Sequence, residues 1–290
     1  MGASAGQANS FWATAWADVE AWLSCWHREP SLRHAHGHYQ LSWTIAGRGR
    51  IVRGGESWPC PVGHLVLLRP DEVHEMIPQG DIPWQFATIY LPSTLLEESH
   101  KWGDSQAVAT GLAPIANGNS RQAAERLHAT ICATATEAEF AQHLAEFCEC
   151  WTEVEGIGGG GRDRDPEKRS SRRLGEVPRW LTDIRDRLAS EMGQNLLVES
   201  LGAELGIGVV ALTRAFRQWF GIPPHAYHLQ MRLNHARQLL RQGMRIVDVA
   251  GCTGFADQAH LTRHFKRWIG VTPGQYQRHA RTFKTLPRWF

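Results

Sequence analysis

Three histidines at alternate positions, His34, His36 and His38, open the stretch HAHGHYQLSWTIAG, and His74 closes PVGHLVLLRPDEVH. Neutral imidazoles on neighbouring strands are ligands for zinc, nickel or iron, which makes His34, His36 and His74 candidates for a divalent metal site. His34, His36, His38, Gln40 and His74, with Trp43, Trp58 and Trp84, also suit the wall of a pocket for a small organic effector, where a few polar groups fix orientation among aromatic ones. A third reading leaves the histidines purely structural.

A second set of residues carries different chemistry. The phrase LTRAFRQWFGIPPHAY at 212–227 returns as LTRHFKRWIGVTPGQY at 261–276, with Leu, Thr, Arg, Phe, Trp, Gly, Pro and Tyr in the same places. Within each copy Leu212, Phe216 and Trp219, like Leu261, Phe265 and Trp268, fall at i, i+4 and i+7 and must face inward on a helix. The opposite face then carries Val209, Val210, Thr213, Arg214, Arg217 and Gln218 in the first copy, and Asp257, Gln258, His260, Arg263, Lys266 and Arg267 in the second. Arg and Gln make bidentate contacts to guanine and adenine edges, and Lys and Arg farther along reach phosphate. The bland alternative is a helical scaffold with a solvated basic face. It leaves apolar Val209 and Val210 at an exposed helix start unexplained.

The elements that must position these residues follow from period and punctuation. From 38 to 91 apolar residues alternate between glycine and proline breaks, which predicts short antiparallel strands in a small barrel or sandwich. The two-residue period puts His34, His36, His38, Gln40, Ser42 and Thr44 on one face and Tyr39, Leu41, Trp43 and Ile45 on the other. Residues 120–151 carry Leu127, Ile131, Phe140, Leu144 and Phe147 at helical intervals and predict two helices that complete this core or face a second copy of the chain. The glycine-rich, charged stretch from Glu155 to Arg173 reads as a linker. Beyond it the period is helical throughout, and seven helices are expected. Two of the pairs, each a short helix, a glycine turn and a longer helix, have the order in which the second helix can enter the major groove of DNA. Gly206 and Gly254 can end the first helix of each pair in the left-handed conformation, and the small Gly202 and Ala250 allow close crossing.

Charge agrees with that division. The chain of 290 residues has 31 Lys and Arg against 29 Asp and Glu, yet from Glu176 onward the count is 16 against 8, leaving 15 against 21 before it. One half is built to meet a polyanion. The six cysteines, Cys25, Cys60, Cys132, Cys148, Cys150 and Cys252, have no zinc-finger or disulfide spacing and read as reduced thiols. No stretch approaches the ~18 uninterrupted apolar residues of a membrane span, and the first residues lack the order of a signal peptide, so a cytoplasmic protein that does not engage a membrane is expected.

The segment from about 176 to 283, above all GFADQAHLTRHFKRWIGVTPGQYQRHA with RLNHARQLLRQG before it, resembles the double helix-turn-helix domain of AraC/XylS-type transcription regulators. The strand region is similar to the cupin-like sensor of the same family. The resemblance implies an α+β chain: a cupin-like β-barrel with flanking helices at 1–152, used for sensing and dimerisation, a flexible linker at 153–175, and an all-α, seven-helix DNA-binding domain at 176–290. It implies a sequence-specific regulator, an activator by analogy with most of the family, that answers to a small-molecule effector and has double-stranded DNA, RNA polymerase and a second copy of itself as partners. No cofactor is expected beyond a possible divalent metal among the histidines, and no enzymatic activity. Where the family often carries Ser, this chain has Gly208 and Ala256, so a capping side chain is lost at both reading helices unless Asp257 replaces it. The rival class is a cupin-type metal-dependent enzyme with a helical appendage. Metal-binding cupins usually place a Glu near Gln40, so the ligand set is incomplete for it.

Overall fold

The computed structural model describes residues 7–13, 18–53, 56–97, 118–133, 136–157, 177–191 and 198–282. The alternating region forms β3 (His38–Ala46), β4 (Gly49–Arg53), β5 (Glu56–Cys60), β6 (Leu65–Leu68), β7 (His74–Pro78) and β8 (Trp84–Pro92), preceded by β1 (Gln7–Ala13) and β2 (Glu20–Trp26). One antiparallel sheet has the order β1-β2-β8-β3-β6 and the second β5-β4-β7. A reading of strands from residue 38 onward omits β1 and β2. Trp12, Trp16, Val19 and Trp22 recur at intervals of three and four, a spacing that serves a helix as well as a strand. Pairing over seven positions, from Gln7 with Trp26 to Ala13 with Glu20, decides for the strand.

Alternation along β3 gives the five-stranded sheet two different faces. Leu41 and Trp43 turn toward α2 (Gly118–Cys132) and α3 (Glu137–Ile157), where Leu127, Ile131, Phe140, Leu144 and Phe147 close the core. The two expected helices therefore complete the sheet's own core. A Thr136–Glu139 capping box starts α3: Thr136 N donates to Glu139 Oε2 (2.8 Å), and Glu139 N donates to Thr136 Oγ1 (3.3 Å). Gln40, Ser42 and Thr44 turn the other way, toward the three-stranded sheet, and Ile51, Cys60, Met76, Trp84 and Phe86 fill the space between the sheets. A single turn, α1 (Ser93–Glu97), follows β8. Phe147 and Cys148 keep the inner face of α3 packed on the sheet, and the helix continues to Ile157, past residue 153 where the linker is expected to begin. The remainder of that linker, 158–175, lies outside the described residues.

After it come α4 (Arg179–Ser190), α5 (Val198–Glu204), α6 (Val209–Phe220), α7 (Pro224–Arg241), α8 (Ile246–Cys252), α9 (Gln258–Ile269) and α10 (Pro273–Thr282). They form two cores joined by α7. Leu181, Ile184, Leu201, Leu212 and Phe216 make the first; Leu233, Leu240, Val249, Leu261, Phe265 and Tyr276 make the second. Leu212, Phe216, Leu261 and Phe265 are wholly buried, each a contribution of about 1.5–3 kcal/mol. Trp219 and Trp268 are only half-buried and pack on the edges of these cores.

Candidate nucleic-acid interface

Each reading unit is held by a glycine turn. In the first, Gly206 has φ 66° and Ile207 N donates to Gly202 O at 2.8 Å. In the second, Gly254 has φ 72° and Phe255 N donates to Ala250 O at 2.9 Å. This is the bond that closes a helix ended by a left-handed residue. The first crossing is the tighter one, since a Cβ on Gly202 would lie 2.6 Å from the carbonyl oxygen of Ile207. Glycines at φ 76° and 88°, Gly221 and Gly270, end α6 and α9 in the same way.

These turns leave one face of each longer helix in solvent. Arg214, Arg217 and Gln218 are exposed on α6, Val209 and Thr213 are half-buried, and Val210 is 73% exposed at its start. On α9, Gln258, Arg263, Lys266 and Arg267 are exposed and His260 is half-buried against Phe255. Asp257 is the N-cap of α9, its Oδ1 accepting from His260 N at 2.7 Å. Gly208 stands at the same place on α6 with no capping side chain. Helix α7, of 18 residues, spans about 27 Å between the two units.

The β-sheets pack directly against this helical part. Glu20 on β2, 2% exposed, accepts from Arg237 at 2.5 Å, from Trp22 Nε1 at 2.9 Å and from the hydroxyl of Tyr276, and Arg241 lies 3.6 Å away. Burial alone would raise its pKa, but Arg237 and Arg241 outweigh burial and hold it below the usual 4.5. Phe11 stacks between Trp22 and Tyr276, at 4.6 and 5.1 Å between ring centroids. Beside this network a cavity of about 820 Å³ lies between the sheets and the second unit, with Trp22, Trp26, Met76 and Phe86 on its apolar wall and Arg237, Arg263, Lys266 and Arg267 on its cationic one.

The proposed effector residues divide between environments. His34 and His36 line the cavity. Gln40 and His74 are buried behind them. His38 pairs with Asp18 at 3.0 Å, Trp84 donates to Thr44 inside the sheets at 3.0 Å, and Trp58 is half-buried on β5. Trp43 belongs to the opposite face, packed on His128 of α2; with Gln40 and Ser42 turned one way, the two-residue period excludes it from the same wall. Burial pushes the His36 imidazole down to about 3, and burial shifts His34 and His74 in the same direction. Glu20, Arg237, Tyr276 and the cavity itself escape a reading of the sequence. They meet only when residues more than 200 positions apart are brought together.

Two family descriptions match this architecture: "AraC-like ligand binding domain" over residues 27–147 and "Helix-turn-helix domain" over residues 201–279. Together they span more than half of the chain. The chain belongs to the AraC-type family. The uncharacterized HTH-type transcriptional regulator YbfI of Bacillus subtilis is 33% identical over 91 residues, which are 30% of this chain and 33% of that protein. The match thus spans about a third of that relative's length. Among solved structures, ToxT of Vibrio cholerae is similar over 95% of this chain and 98% of its own, with 12% identity and a TM-score of 0.53. ToxT bound to an unsaturated fatty acid is similar over 96% of each chain, with 14% identity and a TM-score of 0.52. At these identities the likeness is one of fold. This AraC-type chain shares with ToxT an amino-terminal sheet domain followed by a helical helix-turn-helix domain.

Proposed function

We propose that this AraC-type chain regulates transcription by reading DNA with α6 and α9 under the control of a small molecule held by the sheet domain. One observation carries the reading: two glycine-turned helix pairs, fixed to one helix, each present a solvent-exposed face of Arg, Gln or Lys. Arg214, Arg217 and Gln218, and Gln258, Arg263, Lys266 and Arg267, are the residues assigned to bases and phosphates. We read the two sheets as a cupin-like barrel, residues 1–152 as the sensor, and 176–290 as a seven-helix DNA-binding domain. The protein acts as a homodimer and as an activator that engages RNA polymerase.

The chemistry of the cavity favours an effector with an apolar body and one anionic end. Aromatic and thioether side chains come from the sheets, and Arg263, Lys266, Arg267 and the Glu20-paired Arg237 come from the helices, against one carboxylate, Glu29. ToxT is a protein of like fold that binds an unsaturated fatty acid. Arg263, Lys266 and Arg267 serve both the cavity and the DNA-facing surface, so an anionic occupant competes with DNA for the same charges. The rival reading, a metal-dependent enzyme, leaves the exposed basic faces of α6 and α9 without a role.

The test is selection of bound duplexes from a random pool by the full-length protein. Enrichment of one motif with two conserved blocks supports the reading; recovery of unenriched sequence overturns it.

A further inference from the structure

At the cavity wall, formed in part by His34 and His36, and just behind it at His74 and Gln40, three imidazoles and one amide come together. His34, His36 and His74 each offer a ring nitrogen, and these atoms all lie within 4.8 Å of one another. Their tautomers are fixed from outside the cluster. His34 Nδ1 meets the carbonyl of Leu32 at 2.7 Å, His36 Nδ1 that of His38 at 2.8 Å, and His74 Nδ1 that of Glu72 at 2.9 Å. A carbonyl oxygen only accepts, so each Nδ1 carries the hydrogen and each Nε2 of a neutral ring presents a lone pair. Outer hydrogen bonds of this kind orient metal-ligating histidines.

The inner side of the cluster is short of donors. His36 Nε2 lies 2.7 Å from Gln40 Oε1, two acceptors that need a cation between them unless the amide is turned to present its NH2 group. Turning Gln40 does nothing for His74, whose Nε2 is fully buried and makes no hydrogen bond. A buried acceptor without a partner costs about 1–3 kcal/mol, and a metal ion removes that cost at His74 while also separating the two facing acceptors of His36 and Gln40.

We propose that His34, His36 and His74, with Gln40 Oε1, form a binding site for one divalent first-row transition metal ion, zinc being the ion best suited to three imidazoles and one oxygen. Nitrogens at about 2.0–2.1 Å from a tetrahedral ion lie about 3.3 Å apart, so ring nitrogens that lie within 4.8 Å of one another draw together by at most about 1.5 Å to take it. The site has a direct mechanical consequence. Ala35 N, between two of the ligands, donates to Gln230 Oε1 of α7 at 3.0 Å, and Gln230 Nε2 donates to Arg33 O at 3.3 Å. An ion on His34 and His36 therefore fixes the strap that docks on the helix joining the two reading units. This inference does not depend on the DNA reading, since metal binding is measured without DNA, although His34 and His36 also line the cavity assigned to the effector.

The experiment uses the full chain without an affinity tag, stripped with a chelator and titrated with Zn2+ and with Co2+. One equivalent of Zn2+ is expected to bind and to raise the thermal midpoint, and Co2+ to give the visible ligand-field bands of an ion held by nitrogen. His34→Ala and His74→Gln should each lower affinity by more than the about 10–100-fold that loss of an outer-shell partner costs. Gln40→Glu should raise it, because a carboxylate replaces a neutral amide; this gain does not depend on how well the other variants fold. His225→Ala, at an exposed site on α7, should leave binding unchanged. Less than one equivalent bound to the unaltered chain, or binding that survives both His34→Ala and His74→Gln, overturns the proposal.

Discussion

At the scale of single residues, type and position divide the labour between the two halves of the chain. Arg214 and Arg263 occupy the same place in the repeated phrase and both project into solvent. If each reads a base, replacement by Ala should cost about 1–3 kcal/mol of DNA affinity and relax preference at one position. Binding to a panel of single-base operator variants checks this; uniform weakening across the panel reassigns the side chain to phosphate. Asp257 has another task. Its hydrogen bond to His260 N makes it a helix cap, so Asp257→Ala should cost about 0.5–2 kcal/mol of stability, measured by urea denaturation. These solvent-facing residues were legible in the sequence, because helical period alone places them opposite Leu212 and Phe216 or Leu261 and Phe265. The partners of the histidines were not: which imidazole nitrogen carries the hydrogen depends on backbone carbonyls that only the folded chain brings near.

At the scale of elements, the two helix pairs share a design but not a tolerance. Gly202 has no room for a Cβ against the Ile207 carbonyl, whereas Ala250 carries one in the equivalent crossing. Gly202→Ala should therefore force the first pair apart and lower stability, while Ala250→Gly should cost no more than about 1 kcal/mol of helix propensity and a small packing loss; paired thermal melts distinguish the two. The repeat announced both pairs, since glycine, apolar spacing and chain order are local signals. It did not announce β1 and β2, whose tryptophans fit either period, nor the contact of β2 with α7 and α10. That contact is a buried ion network. Removing one partner of a buried pair costs about 3–5 kcal/mol, and Glu20→Ala should reach that range, read as a lowered denaturation midpoint. The acid response follows from the same groups. Burial raises the Asp18 pKa but its hydrogen bond to His38 and the nearby Arg241 bring it down to about 2, and Glu20 is likewise held below 4.5. Depressed carboxylates stabilise the fold above their unfolded values and lose that contribution as pH falls through the folded ones. The sheet-to-helix contact should thus weaken between about pH 4.5 and pH 2, reported by the fluorescence of Trp22 beside Glu20.

At the scale of the whole molecule, the sheet domain and the reading units are mechanically one problem. Charge asymmetry and the glycine-rich stretch divided the chain legibly into two parts, but the cavity between them could not be read, because its walls come from β2, β7, β8, α7 and α9. Binding of DNA by the full chain should fall steeply with salt, since each phosphate neutralised releases counterions; a flat salt response contradicts the assignment of the basic faces. The central claim is that α6 and α9 read two major-groove segments on one face of the duplex. Helix α7, about 27 Å long, sets their separation near the ~34 Å helical repeat of DNA once the width of the reading helices is added, and the buried anchors on each unit leave little freedom to adjust it. The most direct measurement is footprinting on the selected operator before and after five base pairs are inserted between its two protected blocks. The account predicts that protection of one block is lost, because half a turn carries it to the opposite face of the duplex; unchanged protection of both blocks would contradict it.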